Sequence, residues 1–93
     1  MIVVCPFCGN SMPEILVDGI ASCIKCNRVF DSSLQNRLLS ASWLVKKHNY
    51  GTVEQLISDT RLPEHEAIIA YSFVGENGYS VEEFLHVLKK LGI

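Results

Sequence analysis

The chain is short of several things, and each shortage narrows what it can be. No apolar run approaches the ~20 consecutive residues that a bilayer-spanning helix needs, so no membrane span is expected. No sign of charge dominates, with Lys+Arg 8 against Asp+Glu 10 and a formal net charge of −2. The overall basic character by which dedicated nucleic-acid binders neutralise phosphates is therefore missing. The stretch between Arg61 and Lys89 contains no Arg or Lys at all. The start, Met1-Ile2-Val3-Val4-Cys5, has no basic n-region, no long apolar core and no small-residue cleavage site. A reducing, cytoplasmic setting is the expectation, where paired cysteines bind metal more often than each other.

Catalytic signatures are equally scarce. There is no phosphate loop and no dinucleotide fingerprint. His48, His65 and His86 are scattered over separate segments, and Glu54, Glu82 and Glu83 fall where helix capping and the helix dipole account for them. The expectation is a non-enzymatic protein without a small-molecule substrate.

Four cysteines are present, in a pattern that carries chemistry. Cys5-Pro6-Phe7-Cys8 and Cys23-Ile24-Lys25-Cys26 are two C-x2-C pairs with fourteen residues between them. Such a pair lets two thiolates reach one ion from a single tight turn. Gly9 and Asn27, each just after the second cysteine of its pair, tolerate the positive φ that such a knuckle needs. Between the pairs, Ile15-Leu16-Val17 and Ile20-Ala21-Ser22 flank Asp18-Gly19, the dipeptide favoured in two-residue type I′ turns. The predicted hairpin returns the second knuckle to the first, and Arg28-Val29-Phe30 supplies a third short strand. Cys5, Cys8, Cys23 and Cys26 would then enclose one structural Zn2+, with no open position for water or substrate.

Residues 1 to about 30 resemble the zinc-ribbon superfamily, whose first knuckle Cys5-Pro6-Phe7-Cys8-Gly9 matches well; the second knuckle has Asn27 where a glycine is usual. That superfamily is found in transcription factors, polymerase subunits, ribosomal proteins and small regulators. A rubredoxin-like iron site with the same four ligands is the rival reading and would make an electron carrier.

From Asp31 onward the apolar period changes from two to about 3.6. Leu34, Leu38, Ala41 and Val45 form one helical stripe, widened by Leu39, Trp43 and Leu44, of which one is expected to pack on the ribbon. Ser32-x-x-Gln35, Thr52-x-x-Gln55 and Ser80-x-x-Glu83 are candidate capping boxes, and Gly51 suits the end of the first helix. Pro63 fits the first position of a third helix running to about Val74, and a fourth carries Phe84, Leu85, Leu88 and Leu91.

The predicted fold is thus α+β, with a zinc ribbon over residues 1–31 and a unit of about four helices over 32–93. Residues 52–71 have the layout of a helix-turn-helix, and the chain resembles small regulators that join such a unit to a zinc ribbon. The reading helix would open with Pro63-Glu64-His65-Glu66, whose carboxylates repel phosphate, and the usual turn glycine is replaced by Arg61. A DNA-binding regulator is accordingly the second choice, with Lys25, Arg28, Lys46 and Lys47 as its candidate contacts. The first choice is an adaptor or regulator that contacts a protein partner or a second copy of itself, in a setting of transcription. The third helix, apolar nearly all round, suggests Ile68, Ile69 and Phe73 as the contact surface.

Overall fold

A computed structural model of the chain describes residues 4–17, 19–78 and 80–93. Three short strands come first: β1 (Glu14–Val17), β2 (Ile20–Cys23) and β3 (Arg28–Asp31). They form one antiparallel sheet in the order β1-β2-β3, with Ile15 opposite Ala21 and Ala21 opposite Phe30. The expected hairpin is present. Its turn residue Asp18 lies outside the described residues, while Gly19 has the left-handed φ of +80°. Four helices follow: α1 (Leu34–His48), α2 (Val53–Thr60), α3 (Glu64–Asn77) and α4 (Val81–Lys90). The class is α+β, and no helix among the described residues is long and apolar enough to cross a membrane.

The helix ends differ from the sequence reading in local detail. Ser33, not Ser32, caps α1, its hydroxyl accepting from the Asn36 N–H, because Asp31 has taken the preceding turn by accepting from the Ser33 N–H. That helix ends at Asn49, whose φ of 50° supplies the left-handed residue expected of Gly51. Thr52 precedes α2 without a side-chain cap, and Gln55 instead accepts from the Gly51 N–H. Ser80 caps α4 as expected, accepting from Glu83 N–H. Pro63 is the residue before α3 rather than its first helical position.

Two apolar cores flank α1. Ala41 and Val45 meet Leu56 of α2, Leu62 of the following turn, and Ala67 and Ala70 of α3. Leu38 and Leu39 meet Phe73 of α3 and Phe84 and Leu88 of α4, with Phe73 and Phe84 stacked at 4.4 Å between ring centroids. The third helix is therefore apolar nearly all round because it is clasped between its neighbours. An ion pair with one buried member crosses the same seam, half-buried Arg37 placing Nη2 2.9 Å from Oε1 of buried Glu66. Arg37 also donates to the Ser32 carbonyl at 2.8 Å, fastening the end of the sheet to α1 and α3.

The sheet has little apolar interior of its own. Among the described residues before α1, only Val4, Cys5, Pro6, Ala21 and Cys23 are buried. Trp43 of α1 lies against Gly9, and Ser40 donates to the Val4 carbonyl at 2.8 Å. Trp43 is thus the member of the expected trio that meets the first knuckle, while Leu39 faces the second core. A cavity of about 110 Å³ remains between sheet and helices, lined by Ile15, Ala21, Phe30, Ala41, Leu44 and Leu62 among others.

Candidate metal centre

Two backbone turns present the cysteines. In the first, Cys5 N–H donates to the Asn10 carbonyl at 2.9 Å and Gly9 N–H to the Cys5 carbonyl at 3.0 Å, with Gly9 at φ +78°. A side chain at Gly9 would be strained by that φ, and its Cβ would lie 1.7 Å from Trp43 Cε2. In the second, Cys23 ends β2, Arg28 opens β3 opposite it, and Asn27 N–H donates to the Cys23 carbonyl at 2.8 Å. Asn27 has φ 57°, so the asparagine supplies the conformation that a glycine usually provides. Both positive-φ expectations hold.

The turns bring four sulfurs together. Cys8 Sγ lies 3.3 Å from Cys23 Sγ, Cys5 Sγ lies 3.7 Å from Cys26 Sγ, and all four are within 4.8 Å of one another. Sulfurs about 2.3 Å from a shared tetrahedral ion stand roughly 3.8 Å apart, so this separation fits a single metal ion. Asn10 Nδ2 points at Cys23 Sγ from 3.7 Å, a donor suited to a thiolate. Among the described residues no other group of three or more His, Cys, Asp and Glu side chains converges in this way.

Environment separates the four thiols. Cys5 and Cys23 are fully buried, while Cys8 and Cys26 are half-exposed. Burial pushes the Cys5 thiol up to about 12 and also raises Cys8. Burial opposes ionisation of Cys23 too, but the N–H groups of Cys26 and Lys25 and the neighbouring thiols outweigh it and bring Cys23 down to about 6. Four thiolates carry far more negative charge than such a site tolerates alone, and a bound cation resolves that repulsion. The donor set therefore suits a soft or borderline divalent ion and leaves no protein-free position on a four-coordinate one.

The remaining sequence-derived candidates do not converge. Lys25 and Arg28 are exposed on the second knuckle, where the Arg28 guanidinium stands 4.7 Å over the Phe7 ring. Lys46 and Lys47 are exposed in the last turn of α1, a position that the helix dipole favours. Ile68 is 44% exposed, but Ile69 packs against the second core and Phe73, at 7%, belongs to it. Those three side chains do not form one exposed surface, because α4 covers Phe73. Glu66, read from sequence as a charge facing phosphate, is buried against Arg37 instead, leaving Glu64 and His65 exposed at the start of α3.

Sequence reasoning missed the exposed apolar strand. All four residues of β1 are exposed, including Ile15 at 62%, Leu16 at 52% and Val17 at 58%. Its position at the edge of the sheet is the signal that the hairpin pattern alone does not give. Comparison with known proteins returns no matching family model, no matching curated protein and no matching solved structure. The cysteine cluster on a three-stranded sheet is consistent with a zinc-ribbon-like metal centre, and that class rests on geometry alone.

Proposed function

We propose that the chain is a non-enzymatic zinc-binding adaptor of the zinc-ribbon type, working through contacts with a protein partner or a second copy of itself. The observation that carries the metal part is the convergence of the four sulfurs within 4.8 Å of one another. Zinc is the ion we favour, because four cysteines with no open position are the usual ligand set of a structural zinc site. Bound there, the ion would supply fold stability rather than chemistry, joining two turns whose sheet buries little apolar surface.

The adaptor part rests on β1. An edge strand with three exposed apolar residues offers both unpaired backbone groups and apolar side chains, the combination that accepts an added strand. This moves the proposed contact surface from α3 to the ribbon. A setting in transcription follows only from the likeness of the ribbon to that superfamily, and is an association with fold. DNA binding is the less supported reading, since the exposed first turn of α3 presents Glu64 and His65 and no Lys or Arg.

Sedimentation of the purified metal-loaded chain, alone and with Leu16→Lys, tests the adaptor reading. Leu16 is exposed, so the substitution is expected to change stability by no more than about 0.5 kcal/mol. Concentration-dependent association that Leu16→Lys abolishes supports contact between copies. A monomer whose wild-type and variant forms capture the same proteins equally well would sink the role given to β1.

A further inference from the structure

Two of the contacts in the sulfur cluster cross between the knuckles, and each joins unlike members. Half-exposed Cys8 lies 3.3 Å from fully buried Cys23, and half-exposed Cys26 lies 3.7 Å from fully buried Cys5. Both of these contacts run from one knuckle to the other, within a cluster whose four sulfurs all lie within 4.8 Å of one another. Oxidation of cysteine by peroxide follows exposure and thiolate character, and a second sulfur nearby resolves the product as a disulfide. Each exposed sulfur here has a sheltered one beside it in that resolving position.

We propose that the tetrad is a peroxide-sensitive metal-release site, oxidised to two cross-knuckle disulfides, Cys8–Cys23 and Cys5–Cys26. The assignment rests on the metal reading given above, because metal ligation keeps the sulfurs as thiolates. The oxidant is hydrogen peroxide. The Cys8 sulfur attacks one peroxide oxygen, an S–O bond forms, the O–O bond breaks, and the departing hydroxide takes a proton to become water. The Cys23 sulfur then attacks the sulfenic sulfur of Cys8, an S–S bond forms, the S–O bond breaks, and hydroxide again leaves as water. A second peroxide oxidises Cys26 and Cys5 in the same way. In sum, four thiolates, two peroxides and four protons give two disulfides and four waters. Neither pair then supplies thiolate donors, and the ion is released.

The pairing has a structural consequence. A Cys8–Cys23 bond ties the two knuckles at the same place as the metal does, so the hairpin stays closed and Gly9 stays against Trp43. Metal leaves without the ribbon coming off α1. A chelator, by contrast, removes the ion and leaves nothing across the knuckles.

The test treats the full metal-loaded chain with hydrogen peroxide while a chromophoric chelator records released zinc, followed by disulfide mapping under non-reducing conditions. Expected are complete metal release, loss of all four free thiols, Cys8–Cys23 and Cys5–Cys26 linkages, and a Trp43 emission that stays near that of the metal-loaded form. Thiol reduction with added zinc restores the starting state. Linkages within the pairs, Cys5–Cys8 and Cys23–Cys26, or conversion to sulfinic and sulfonic acids, would overturn the assignment, as would metal retained through the treatment. A preparation that binds no metal before peroxide is added overturns the metal reading itself, which separates the two failures.

Discussion

At the scale of single residues, Gly9 joins the metal centre to the helices. It combines φ +78° with a Cα so close to Trp43 that an added Cβ would sit 1.7 Å from the indole. Gly9→Ala is expected to cost roughly 2–4 kcal/mol, from the left-handed conformation and from displacement of the ring together. Gly75, inside α3 with nothing within 4 Å of an added Cβ, is the control; Gly75→Ala is expected to stabilise by about 0.5–1 kcal/mol. Denaturant titration of both variants, with Trp43 emission followed, checks the contrast. The thiols set a second expectation. Cys5, held near 12, and Cys8, also raised, keep their protons at neutral pH in the metal-free chain, whereas Cys23, near 6, has largely lost its own. Metal binding must displace the protons that remain, so affinity rises with pH and falls on acidification. At neutral pH at least the protons of Cys5 and Cys8 are released on loading, which calorimetry in buffers of different ionisation enthalpy measures. An affinity flat with pH would contradict this assignment.

Residue-scale features were also the most legible in the sequence. The ligands, the positive φ at Gly9 and Asn27, and the Ser80 cap depend on neighbours within a few positions. Glu66 shows where local reading stops. Its partner Arg37 is 29 positions away, and a carboxylate that looks solvent-facing beside Pro63 is in fact sealed into the α1–α3 seam.

At the scale of elements, that pair is the polar tie between α1 and α3. The Glu66 side chain is 4% exposed and that of Arg37 is 31% exposed. Arg37→Ala leaves a buried carboxylate alone, a loss of about 3–5 kcal/mol for a fully sealed pair; partial exposure of Arg37 reduces this to roughly 1–3 kcal/mol. Arg37→Met combined with Glu66→Leu is expected to recover most of the loss, because an apolar pair of similar volume suits the seam. A double-mutant cycle read by thermal unfolding checks it, and additive single losses would show that the two side chains are not coupled. The helices themselves were legible from their apolar period, but their ends moved by one or two residues. At α1, Asp31 competes for the first turn and Asn49 takes up the left-handed conformation, so Ser33 and Asn49 replace Ser32 and Gly51. The exposure of β1 was not legible at all, since an apolar Ile15-Leu16-Val17 run reads the same on a buried strand as on an edge.

At the scale of the whole molecule, the two apolar cores belong to the helices, and the sheet is held by other means. One is the seam at Gly9–Trp43 and Ser40–Val4; the other would be an ion held by the cluster of sulfurs. A cleft of about 110 Å³ between sheet and helices leaves part of that seam unfilled. Chelation is therefore expected to melt the sheet and change Trp43 emission while the helical signal persists. A small sheet without its own core depends on the metal far more than a clasped helical unit does.

Metal content tests the central claim most directly. Elemental analysis of the purified chain, made under reducing conditions and compared with a variant in which Cys8 and Cys23 are both serine, should give one zinc ion per wild-type chain and none in the variant. A wild-type chain with no bound metal, or a coloured one carrying iron in place of zinc, would contradict the account.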